Sequence, residues 1–112
     1  MSGHASNPES GVSAIEYAIR YSNKLMELRD ELKKRHSKKT SFSPSYSTLQ
    51  IGKIEGGIGA NVIADRCSLV WEVRPVNKDD GDFVSKNIDT FAKDILLPEM
   101  KKIIQKEISK KK

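Results

Sequence analysis

Cysteine occurs once in this sequence, at Cys67, which excludes an intrachain disulfide and fits a reducing compartment. No apolar run approaches the roughly 20 residues that cross a bilayer, and no signal-peptide pattern follows Met1. The expectation is a soluble, cytoplasmic protein without a membrane partner. Histidine is nearly as scarce: His4 stands in a polar leader and His36 among lysines. No two His, Cys or carboxylate residues have metal-ligand spacing, so no metal is expected in this chain itself. Ser6, His4 and an aspartate would make a nucleophilic triad on paper, but nothing in their spacing supports one. The glycines Gly56, Gly57 and Gly59 lead into a strand pattern and not a helix, which excludes the usual phosphate loop.

Charge is present in both signs, with 20 Lys and Arg against 15 Asp and Glu in 112 residues. Many of the lysines fall in Lys33–Lys39 and Lys101–Lys112, at the C-terminal ends of two helical patterns. Cations there face the negative end of a helix dipole, so solvated helix ends account for them more simply than a nucleic-acid patch. The rival reading is a small, basic, standalone RNA-binding module, which calls for aromatic side chains on an exposed sheet face. A chain of this length makes one domain, with enough apolar residues for a sheet-and-helix core but not for an enclosed catalytic cavity.

The residues around which the rest is organised are Ile54 to Val76. After the glycines, Ile63, Cys67, Leu69, Trp71 and Val73 share one parity of a pleat, and Arg66, Ser68, Val70, Glu72 and Arg74 share the other. Pro75, lacking an amide hydrogen, closes the strand. Thr48 to Ile54 reads as a second strand, antiparallel to the first. Ile54 falls out of phase with Leu49 and Ile51, so an irregularity is expected near Gly52. Upstream, Ile15, Ile19, Leu25, Leu28 and Leu32 recur with helical period from Val12 onward, fraying near His36. Ser6 or Asn7 is the expected cap, with Pro8 and Glu9 in the first turn. Glu16–Arg20, Asp30–Lys34 and Glu31–Arg35 are acid-before-base pairs four apart. Downstream, Asp79, Asp80 or Asp82 offers a cap for a helix with Phe83, Val84 or Ile88, Phe91 and Ile95 on one stripe. Pro98 should kink or restart it before Met100 and Ile103.

From spacing alone, Cys67 is a packing residue and Asn61 a turn residue. Arg66, Ser68, Glu72 and Arg74 read as a solvent face with cross-strand ion pairs. The order helix, strand, strand, helix leaves a sheet too small for its helices, which points to self-association.

Ser2-Gly3-His4-Ala5-Ser6, followed by Pro8, Gly11, Ala14 and Ile15, resembles the entry to the lid domain of the di-zinc deacetylase and carboxypeptidase family. Pro44 to Leu49, Gly52, Ile54, Gly56-Gly57, Ala60 to Ala64 and Arg74-Pro75 point within it toward acetylornithine deacetylase. The resemblance runs from Ser2 to about Pro75. It implies an α+β, ferredoxin-like antiparallel sheet with two helices on one face, truncated at one or both ends. It also implies that residues 1–112 are a single lid and dimerisation domain excised from a larger two-domain metallohydrolase. His4 would reach across a homodimer to stabilise the oxyanion in the partner's site, while Asn61 and Arg74 would bind an N-acyl amino acid, N-acetylornithine in particular. The two zinc (or cobalt) ions would belong to the other domain, as would the general base, and the chain alone would be inactive.

Overall fold

The computed structural model describes residues 3–4, 13–35, 45–60, 62–63 and 66–103. In chain order these form β1 (Gly3–His4), α1 (Ala14–Lys34), β2 (Thr48–Gly56), β3 (Val62–Ile63), β4 (Cys67–Arg74) and α2 (Asp80–Phe91), which continues through a π-helical turn, Ala92–Leu96. Helix α1 starts later than the capping pattern suggested. Ser13 is its cap, with Oγ accepting the Glu16 amide at 3.3 Å, and Ser13-x-x-Glu16 has the spacing of a capping box. Ser6, Asn7, Pro8 and Glu9 lie outside the described residues, and the first-turn acid is Glu16.

The sheet forms as two antiparallel pairs, β2 with β4 and β1 with β3. In β4 half-buried and exposed residues alternate, and the strand ends at Arg74 before Pro75, as the missing amide of proline requires. Ile63, expected in one strand with Cys67, instead belongs to β3, whose ladder is with β1: Gly3 faces Ile63 and His4 faces Val62. The register of β2 shifts between Ile51 and Lys53. That bulge at Gly52 sets Ile54 opposite Leu69, in phase with the inner rows, though Ile54 itself is 52% exposed. At the other end of the pair, a Cβ on Gly56 would stand 2.7 Å from the Arg66 carbonyl oxygen, and Gly57 has φ +87°. Both positions call for glycine.

Leu25, Leu28 and Leu32 of α1, Leu49 of β2, and Val84 and Ile88 of α2 make the core, with Ile51, Leu69, Trp71 and Val73 packed against it from the sheet. The result is an α+β layer pair with both helices on one face of the β2–β4 pair. Ile19, on the expected apolar stripe, is 48% exposed. Pro98 does not end the second helix. The π-turn Ala92–Leu96 precedes it, and helix continues over 97–103. Widening to i→i+5 bonding relieves the carbonyls that the proline ring would crowd and leaves its missing donor without a partner to lose. The extra residue per turn also rotates the stripe, so Leu96 is buried where Ile95 was expected.

Two of the anticipated i,i+4 pairs are displaced by tertiary partners. Arg20 pairs with Glu99, which also accepts from Tyr17, and Arg35 with Asp80, a carboxylate fixed by its burial. Asp80 is fully buried. It accepts from Arg35 Nε at 2.9 Å and from Ser47 Oγ, and Ser47 Oγ in turn accepts the Val76 amide at 2.7 Å. Asn77 Nδ2 donates to the Arg35 carbonyl at 2.7 Å, and the Arg35 guanidinium lies 4.2 Å from the Phe83 ring centroid. One buried carboxylate thus ties the end of α1, the start of β2 and the turn after β4, immediately beyond Arg74.

Candidate functional site

The outer face of the β2–β4 pair is polar because its parity excludes the core residues. Register places Thr48 opposite Arg74, Gln50 opposite Glu72, Lys53 opposite Val70 and Glu55 opposite Ser68. No aromatic side chain stands on these rows. At the Arg74 end, Thr48, Leu49, Gln50, Glu72 and Arg74 line an open groove of about 280 Å³. Arg74 Nε lies 3.3 Å from Glu72 Oε1, and the two side chains are 80% and 58% exposed. Lys53 and Glu55 pair at 3.1 Å. The ion pairs of this face therefore run along each strand, i to i+2, and not across the ladder as expected. Across the ladder Glu72 meets an amide, Arg74 and Glu55 each meet a hydroxyl and Lys53 meets a valine, so no charge faces its opposite directly across these rows.

Of the three residues expected to form a site, Arg74 alone is described with its side chain. His4 is placed by its backbone, on β1 beside Val62. Asn61 lies outside the described residues, adjacent in sequence to that pair. Arg74 closes β4 at the end away from Cys67, roughly 23 Å along a strand of that length. The structure groups it with Thr48, Gln50 and Glu72. Gln50 and Thr48 escaped the sequence reading, since only the register across β2 and β4 shows that they share a groove with Arg74. Cys67 sits half-buried on the inner face, as its parity required.

A second groove, of about 350 Å³, runs between α1, β4 and the end of the second helix, lined among others by Tyr17, Tyr21, Leu69, Leu96 and Met100. Its rim is clasped by Glu99, whose two oxygens accept from Arg20 Nη1 and Nη2 and whose Oε2 also accepts from Tyr17 Oη at 3.4 Å. The Arg20 hydrogen bond holds the Glu99 carboxyl below the usual carboxylate range. Burial first, and the Glu99 charge next, push the Tyr17 phenol up, and burial does the same for Tyr21. Among the described residues no three His, Cys, Asp or Glu come together as metal ligands. Those residues do not suit a zinc centre, and no chemical step here runs through one. No described helix is long and apolar enough to cross a membrane.

Comparison with known proteins gives this arrangement a family. The profile of the peptidase dimerisation domain family (M20_dimer) matches residues 1–100. Acetylornithine deacetylase of Klebsiella pneumoniae is 41% identical over 76 residues, covering 68% of this chain and 20% of the enzyme. The acetylornithine deacetylase of Salmonella arizonae matches over the same length at 41%, and that of Pasteurella multocida is 37% identical over 75 residues, 67% of this chain and 19% of the enzyme. The chain spans about a fifth of the length of these curated relatives. With its two helices on one face of an antiparallel pair and its match along residues 1–100, the chain belongs to the peptidase dimerisation domain family.

Proposed function

We propose that this chain is the dimerisation and lid domain of a larger, cytoplasmic, zinc-dependent amide hydrolase that deacylates N-acyl amino acids, N-acetylornithine foremost, as a step in arginine biosynthesis. The observation that carries the reading is the match to acetylornithine deacetylases along two-thirds of the chain but only a fifth of theirs. The remaining four-fifths leaves room for the metal centre and general base that the described residues do not supply. In this reading the domain forms a homodimer, and residues 1–112 act as one unit. The polar outer face, without an aromatic for base stacking, favours a small polar ligand over RNA.

Each residue of the proposed site has a distinct task. His4, carried on β1, donates to the oxyanion that develops when the amide carbonyl of the partner subunit's substrate is attacked. A donor held in place before charge develops lowers the barrier without reorganisation. Arg74 offers a planar fork to the substrate carboxylate. Asn61, next to the β1–β3 pair in sequence, binds a polar substrate group.

Subunit mixing in the full-length enzyme tests this. His4→Ala should lower kcat about a hundredfold, the effect typical of losing one oxyanion donor. Mixing His4→Ala subunits with subunits that lack their metal ligands should restore part of the activity, because one site of the mixed dimer then has intact metals and an intact His4 from its partner. A mixture that stays inactive after proven subunit exchange overturns the cross-subunit role. The 112-residue chain alone should not hydrolyse N-acetylornithine; turnover by pure chain would contradict its assignment as a lid.

A further inference from the structure

The groove at the end of the β2–β4 pair carries more than an arginine. Its walls hold one cation and one anion side by side, Arg74 and Glu72, with the amide of Gln50 across the ladder from Glu72 and the hydroxyl of Thr48 across from Arg74. Both charges are more than half exposed, so each keeps donor or acceptor capacity beyond their mutual contact. The Glu72–Arg74 contact uses Nε and one carboxylate oxygen. The Nη groups of Arg74 and Oε2 of Glu72 have no partner among the described residues. A ligand that engages both charges would present a carboxylate and a cation a few ångströms apart.

We propose that Glu72 is a specificity-determining residue that binds the side-chain ammonium of the substrate while Arg74 binds its α-carboxylate, so that the groove selects N-acyl amino acids with a basic side chain. The inference rests on the proposed function, and extends it from a carboxylate clamp to a two-charge site. Acylation removes the charge of the α-amine, so the second charge must come from the side chain. In an ornithine derivative the α-carboxylate and δ-ammonium are separated by a short, flexible three-methylene side chain, so one molecule offers both charges to neighbouring residues of one strand. Gln50, neutral and facing Glu72, can hydrogen-bond the same ammonium through its carbonyl oxygen without adding repulsion. A substrate with a second carboxylate in place of the ammonium would meet Glu72 as a like charge.

Two substrates separate the possibilities in the full-length enzyme: N-acetyl-L-ornithine and N-acetyl-L-norvaline, which has the same chain length without the terminal ammonium. Glu72→Gln should raise KM for the ornithine substrate by up to about fivefold, as the loss of an accessible charge pair implies, and raise KM for the norvaline substrate less. Arg74→Ala should raise KM for both. A direct check uses the 112-residue chain: millimolar N-acetyl-L-ornithine should shift the side-chain NMR signals of Glu72 and Arg74, and Glu72→Gln should remove the preference over the norvaline compound. Equal effects of Glu72→Gln on the two substrates overturn the inference while leaving Arg74's role standing. Absence of deacylation with either substrate by the unmodified enzyme overturns the proposed function itself, and no preference between the two ligands in the unmodified chain overturns the two-charge site.

Discussion

Asp80→Ala should cost this small domain about 3 kcal/mol of stability, and the structure shows where that loss arises. Ser47 Oγ, 1% exposed at the residue level, loses the acceptor of its only donated bond, and an unsatisfied buried hydroxyl costs about 1–3 kcal/mol. The Arg35 side chain is 40% exposed and regains water, so losing its ion pair adds only about 1 kcal/mol or less. A small vacated volume at a fully buried position adds to both. Asp80→Asn keeps an oxygen for Ser47 and should lose about half as much. Urea unfolding followed by far-UV circular dichroism gives the differences. Ser47→Ala made on the Asp80→Ala background should cost about 1 kcal/mol less than it does alone, because its partner is already gone. If Asp80→Ala unfolds within about 0.5 kcal/mol of the parent, or the two changes simply add, the carboxylate is not the tie that the geometry describes.

Gly56→Ala would set a methyl group 2.7 Å from the Arg66 carbonyl oxygen, so thermal unfolding should show a loss of roughly 1–3 kcal/mol; an unchanged Tm would mean that the end of the β2–β4 pair opens freely. The Glu99 carboxyl is held below its ordinary value of 4.5 by Arg20, so its contribution is present above that pH and is lost as pH falls through the lower, folded value. Denaturation midpoints across pH 6 to 3 should therefore fall more steeply for the parent than for Glu99→Gln. Parallel curves would show that the Glu99 clasp contributes nothing.

Where one local rule governed, the fold was legible in the sequence. Alternation from Cys67 to Arg74, the stop at Pro75 and the irregularity at Gly52 each follow from backbone chemistry within a few residues, and each is found. The break between β3 and β4 was hidden because Ile63 keeps the parity of Cys67 while its hydrogen bonds go to β1. Asp80 looked like one of three interchangeable caps. Its burial depends on Arg35 and Ser47, 45 and 33 residues away, and no local pattern carries that information. The same holds for Arg20, whose partner Glu99 is 79 residues on, and for the π-turn, which shifts the buried position from Ile95 to Leu96. Parity alone left Arg74 on a solvent face with Arg66, Ser68 and Glu72, and only the family resemblance singled it out. Its neighbours Thr48 and Gln50 emerge only with the register.

Dimerisation is the central claim, and the mass of the chain in solution tests it most directly. Multi-angle light scattering across a micromolar dilution series should return twice the 12.6 kDa of the chain, with dissociation, if any, only at the lowest concentrations. A constant mass of one chain over the whole series would contradict the account.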